Sequence, residues 1–238
     1  MKYFPIYLDA KHINAMIIGG GEVAARKIDL LLKSTTNITI MSETLNSSVE
    51  RLVNVHQLTW LKHNYQPGHL VSCNIVIAAT DSNEVNSAVA AESTKLKLLT
   101  NVVDQPELCN YITPAIIDRA PMIIAMSSSG SAPILLRMLR EQIEKTLPYG
   151  YGKLADFSFK FRDHVKARVK SIRDRRTFWE RTLRGSIGQN ILAGKTTQAE
   201  QQLIASLQTQ TPAPDGEIVF IHTSDGNPDN LTLNAHRE

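Results

Sequence analysis

Between residues 1 and 113, short apolar runs alternate with longer stretches whose apolar positions recur every three or four residues. Six runs read as strands: FPIYL (4–8), NAMII (14–18), NITIM (37–41), HQLTWL (56–61), NIVIAAT (74–80) and LLTNVV (98–103). Helical spacing falls between several of them, over 22–33, 44–53 and 83–95. Strands separated by helices of that length pair in parallel through right-handed crossovers. NIVIAAT is apolar throughout, as a central strand covered on both faces must be. The pattern predicts an α/β, Rossmann-like parallel sheet.

After Pro114 the rhythm changes. Residues 115–126 read as a strand, 127–131 as a Ser/Gly loop, and 131–146 as a helix that sets Ile134, Leu135, Met138, Leu139 and Ile143 on one stripe. Pro148 and Gly150 punctuate its end. From Tyr151 to about Leu207 there is no strand pattern, and Leu154, Phe157, Phe161, Val165 and Val169 recur at helical spacing. TQTPAPDG (209–216) looks like a linker. Four segments are therefore expected: a sheet domain over 1–113, a strand-plus-helix element over 114–147, a small all-helical domain over 148–208, and a tail over 209–238.

Composition narrows the class. With 238 residues and 42% hydrophobic content, the chain can bury one or two cores. No run of apolar residues is long enough for a membrane span, and MKYFPIYLDAKH is not a secretory leader. Cys73 and Cys109 form no paired motif, which fits a reducing cytoplasm. The seven histidines are scattered, so no metal-ligand spacing stands out. Charge is uneven: Tyr151–Arg184 holds eleven Lys/Arg against four acids. Such a segment is either a solvated face or a surface for an anionic partner. Phe157 and Phe161 fall on the apolar stripe rather than among the basic residues, which argues against nucleic acid.

Gly19-Gly20-Gly21-Glu22-Val23-Ala24 fits G-x-G-x-x-A between a strand and a helix. The first glycine permits a sharp turn, the second lets backbone amides approach a pyrophosphate, and a small third residue lets helix and strand pack closely. A glycine-rich corner without a ligand fits the same residues. The carboxylate usual for a ribose hydroxyl is weakly represented by Glu43, beside Thr44, one or two positions late; no arginine stands there for a 2′-phosphate. The balance favours NAD over NADP. Thr80, Asp81 and Asn101 end strands on the same sheet edge, where ligands gather. Thr80 and Asp81 fit a nicotinamide or ribose contact, although Asp81 also fits a cap for the helix that begins at Asn83.

FPIYLDAKHINAMIIGGGEVAARKIDLLL, then IAATDSNEVN, then TNVVDQPELCNYITPAIIDRAPMIIAMSSSGSAPILLRMLREQIE, taken together and in order, resembles siroheme synthase, specifically its bifunctional precorrin-2 dehydrogenase/sirohydrochlorin ferrochelatase module. The resemblance runs from Phe4 to about Leu207. It implies NAD-dependent oxidation of precorrin-2 followed by insertion of ferrous iron to give sirohaem. It assigns the key acid to the aspartate of NVVD, Asp104, whose bland alternative is a turn-forming acid. It implies a homodimer, with the 134–139 stripe as contact, and a match of Ser128 to a serine in the substrate channel. Precorrin-2 carries eight carboxylates, so Arg119, Arg137 and the 160–184 cluster are candidate contacts. A dehydrogenase without chelatase activity and a non-catalytic NAD-binding regulator are the competing readings.

The tail GEIVFIHTSDGNPDNLTL (216–233) resembles the opening of the methyltransferase that follows in full-length family members. His222 and Ser224 stand where glycines belong. The expectation is a degenerate remnant that binds no S-adenosylmethionine.

Overall fold

The computed structural model describes residues 1–209. Expectations for the tail beyond Thr209 lie outside them. Five parallel strands form the first unit's sheet: β1 (Ala15–Ile18), β2 (Ile38–Met41), β3 (Thr59–Leu61), β4 (Ile75–Ala78) and β5 (Leu99–Val102). Their order is β3-β2-β1-β4-β5, and Ile18 pairs with Met41 on one side and Ala78 on the other. Chain direction across the sheet therefore reverses between β1 and β4. Ligands bind beyond the carboxyl ends of strands at such a switch point.

All four residues of β1 and of β4 are buried, because both faces of these central strands are covered. Helices α1 (Glu22–Leu32) and α2 (Ser47–His56) cover one face through Ala24, Ala25, Ile28, Val49 and Leu52, packed on Ile17, Ile40 and Ile77. Helix α3 (Asn83–Leu96) covers the other, where Val89 and Ala90 meet Met16, Ile18, Val76 and Ala78. Each fully buried aliphatic side chain of this kind contributes about 1.5–3 kcal/mol. Asn46 caps α2 by accepting from the Val49 N–H at 2.8 Å. Ser82 caps α3 by accepting from the Val85 N–H at 3.2 Å.

Two strand assignments are corrected. FPIYL is not a strand: Phe4, Ile6, Tyr7 and Leu8 are exposed, and neither sheet formed by the described residues includes them. The 115–126 run is two strands, β6 (Ala115–Arg119) and β7 (Met122–Met126), paired in a sheet of their own. Ala120-Pro121, with a cis peptide bond, interrupts the run because proline cannot donate to a ladder.

By contacts the described residues divide into one unit of residues 1–115 with 126–137 and another of 116–125 with 138–209. Helix α4 (Pro133–Thr146) runs through that division. It buries no residue; Ile134, Leu135, Met138 and Leu139 are 69%, 64%, 58% and 43% exposed. The second unit contains α5 (Tyr151–Arg168), α6 (Ile172–Arg184), α7 (Ser186–Leu192) and α8 (Thr196–Thr209). Leu154, Phe157 and Phe161 of α5 pack with Ile191, Ala199 and Leu203 as its core. The basic residues of α5 and α6 lie mostly on the exposed faces these helices leave.

Candidate functional site

An open cavity of about 430 Å³ lies at the switch point of the first unit. Its wall contains Gly19–Val23, Met41 at the end of β2 and Ser42 just after it, Asn64 and Tyr65 after β3, and Ala79–Ser82 with Val85 after β4. The three glycines differ in what they permit. Gly19 has φ +123°, and a Cβ there would lie 2.2 Å from the Ala79 carbonyl oxygen. A Cβ on Gly20 would lie 2.1 Å from the Thr44 carbonyl oxygen. Those two positions close the turn against the protein itself. Around Gly21 nothing lies within 4 Å of an added Cβ, so its backbone faces open cavity at the start of α1. The amide groups and dipole there suit a phosphate, and the residues fit the dinucleotide expected from the sequence.

Two acidic residues, Glu22 and Asp81, stand in this wall, and Glu22 is the one held by side-chain hydrogen bonds. Its Oε2 accepts from Asn46 Nδ2 and Ser48 Oγ, each at 3.1 Å. Glu43 and Thr44 are exposed just past Ser42 and are not part of the cavity wall. The sequence assigns the carboxylate role to Glu43, and Glu22 enters only as part of the glycine motif. Its two partners, 24 and 26 residues away, were not legible. Thr80 donates to Asn86 Oδ1 at 2.8 Å and so braces the loop after β4. Asp81 lines the cavity, and capping of α3 falls to Ser82 instead, one residue closer to the helix.

Asp104 follows β5 on the same carboxyl edge. It is exposed and has φ +58°, a left-handed conformation that aspartate tolerates better than most residues. The turn-forming and the chemical readings of this residue are thus compatible. Asn101 is buried at 9% exposure, and its amide is engaged within the protein. Oδ1 accepts from Lys27 Nζ at 3.4 Å, and Nδ2 donates to the Tyr111 carbonyl at 3.3 Å and lies 3.6 Å from Cys109 Sγ. Burial pushes the Lys27 amine below its ordinary range, against the opposing fields of Cys109 and Asp104. Sequence reasoning missed Lys27, which carries no motif of its own.

The remaining candidates lie elsewhere. Arg119 is 7% exposed; Nε donates to the Leu147 carbonyl at 3.1 Å, and the guanidinium stacks 4.1 Å from the Tyr149 ring. That fork serves the second unit's own packing. Arg137 is exposed on α4. Ser128 Oγ accepts from the Ala132 N–H at 3.3 Å, just ahead of α4. Among the described residues, no cluster of three His, Cys, Asp or Glu side chains is placed to hold a metal ion, and no helix is long and apolar enough to cross a membrane.

Residues 6–115 match the family described as "Putative NAD(P)-binding", and residues 150–207 match the "Sirohaem synthase dimerisation region". The second match falls on the helices after the 114–147 segment in which the sequence placed the dimer contact. The chain is 41% identical over its whole length to a siroheme synthase of Pseudoalteromonas atlantica and 39% identical to one of Nitrosomonas europaea. Over 98% of its length it is 40% identical to siroheme synthase 1 of Serratia proteamaculans. It spans about half the length of these relatives: 52%, 50% and 50%. Among solved structures, SirC, a precorrin-2 dehydrogenase, aligns over 87% of this chain and all of its own, with a TM-score of 0.69 at 19% identity. That likeness supports the fold.

Proposed function

This chain belongs to the siroheme synthase family, and we propose on that premise that it oxidises precorrin-2 to sirohydrochlorin with NAD and then inserts ferrous iron to give sirohaem. The observation that carries the reading is the open, glycine-lined cavity at the β1/β4 switch point; Asp104, two residues past β5 on the same carboxyl edge, is exposed and lies outside that cavity's wall.

NAD, when bound, accepts the hydride. The backbone of Gly19–Val23 would hold its pyrophosphate at the start of α1, and Glu22, fixed by Asn46 and Ser48, would face its sugar. The loop braced by Thr80 would bound the site on the β4 side, with Asp81 in its wall. Asp104 would take the proton that the macrocycle loses on oxidation. The same carboxylate would later accept pyrrole N–H protons as the metal enters. Asn101 and Lys27 would stiffen the strand that presents it. Exposed cations, including Arg137 and the α5–α6 residues, would attract the polycarboxylate substrate.

A homodimer in the cytoplasm completes the proposal. Two free cysteines fit a reducing compartment, and the exposed stripe of α4 fits a second copy. The test uses two assays on the full chain. Reduction of NAD in the presence of precorrin-2 reports the first activity. Incorporation of Fe²⁺ into sirohydrochlorin without NAD reports the second. Loss of the first signal would overturn the dehydrogenase assignment; presence of the first without the second would restrict the protein to oxidation.

A further inference from the structure

The loop after β3 belongs to none of the motifs read from the sequence, yet it supplies part of the cavity wall through Asn64 and Tyr65. Leaving an edge strand of the sheet, it crosses to the face covered by α3, where Tyr65 and Leu70 enter the core beside Ile18, Val76 and Val89. One side chain of α3 fastens it. The Glu92 carboxylate accepts from the Tyr65 hydroxyl, from the Gly68 N–H at 3.0 and 3.1 Å, and from the Leu70 N–H at 3.3 Å. Tyr65 also donates to the Ala88 carbonyl at 3.4 Å, one turn earlier on the helix. Gly68 has φ +97°, so the loop bends back at that point to bring two amides onto one carboxylate.

We propose that Glu92 is a positioning residue for nucleotide binding, holding the Asn64–Leu70 loop as the wall against the adenosine half of NAD. The proposal rests on the NAD reading above and assigns the two halves of the cofactor to sides of the site. The glycine turn after β1 takes the pyrophosphate. The nicotinamide must reach toward β5, which carries Asp104. The adenosine half then lies on the β2/β3 side, where the loop begins. A carboxylate with several hydrogen-bond donors from one loop fixes that loop in a single conformation. Burial alone would raise the Glu92 carboxyl, but the Tyr65 hydroxyl and the Gly68 and Leu70 amides bring it below its ordinary range, so it stays an acceptor.

The test compares probes that contain or lack the adenosine half. Calorimetric titration with ADP-ribose and with nicotinamide mononucleotide is run on the parent protein, on Glu92→Gln and on Tyr65→Phe. Glu92→Gln should weaken ADP-ribose by about tenfold and leave nicotinamide mononucleotide within twofold of the parent. Tyr65→Phe, which keeps the ring and removes one donor, should show a smaller loss of the same kind, and it carries the test if Glu92→Gln fails to fold. Unchanged ADP-ribose affinity in a folded variant would overturn the proposal, as would equal weakening of both probes, the mark of a general loss of structure. A parent protein that binds ADP-ribose while the variants bind it equally well refutes this role and leaves the NAD reading standing. A parent that binds neither probe refutes both.

Discussion

The amine of Lys27 on α1 lies 3.4 Å from the amide oxygen of Asn101 on β5, three residues before Asp104. The contact joins helix to strand across 74 residues of sequence. Asn101→Leu would strand a half-buried ammonium without its acceptor and release the Tyr111 carbonyl. An unsatisfied buried polar group costs about 1–3 kcal/mol, more where it is charged. Urea unfolding should show a loss of that order, and Asn101→Leu with Lys27→Met together should recover part of it. A variant as stable as the parent would contradict the structural role assigned to Asn101.

The glycine turn separates a folding requirement from a binding requirement. Gly20→Ala places a methyl 2.1 Å from a backbone oxygen, so the turn must shift and stability should fall by several kcal/mol, on the order of severe overpacking. Gly21→Ala meets nothing within 4 Å and should fold normally, yet weaken NAD because the methyl enters the space left for the pyrophosphate. Thermal unfolding and NAD titration of the two variants check the contrast. A Gly21→Ala protein with full affinity would mean that the phosphates lie elsewhere.

The exposed stripe of α4 predicts an oligomer contact. Leu135→Asp with Met138→Asp should convert a dimer to a monomer in sedimentation velocity without loss of helix content. Persistence of the dimer would shift the interface to the helices over 150–207, the region matched by the dimerisation family.

The Cys73 thiol is pushed up to about 11, chiefly by burial. At pH 8 its thiolate fraction is about a hundredth of that of a thiol at the ordinary 9.0, so alkylation by iodoacetamide should be slower by about that factor. The folded state also holds this proton more tightly than the unfolded chain. Its stabilising contribution is complete below pH 9 and is lost as pH rises through about 11. Site-resolved mass spectrometry across pH 7–10 reads the first effect; rapid labelling of Cys73 at pH 8 would contradict the burial.

The central sheet was legible because β1 and β4 are continuous apolar runs bounded by turns, β2 and β5 are short runs that begin and end on apolar residues, and the glycine motif names its own backbone geometry. FPIYL misled because its apolar content suggested burial, whereas Phe4, Ile6, Tyr7 and Leu8 stay exposed. One strand became two at Ala120-Pro121 for the converse reason: the run of side chains was read, but the missing donor was not. Arg119 was read as a candidate contact for the carboxylates of precorrin-2, and its guanidinium lies over Tyr149 within its own unit. The carboxylate of Glu92 and the amine of Lys27 could not be found from sequence, since their partners lie 22–27 and 74 residues away and only the folded sheet brings them together.

The proposed oxidation and metal insertion both depend on the Asp104 carboxylate. Asparagine tolerates the same left-handed backbone, so Asp104→Asn removes charge and basicity while keeping the turn. With precorrin-2 and NAD saturating, the variant should retain NAD affinity and lose about 10²–10⁴ in turnover, the usual contribution of a positioned base. Turnover equal to that of the parent protein would contradict the assignment.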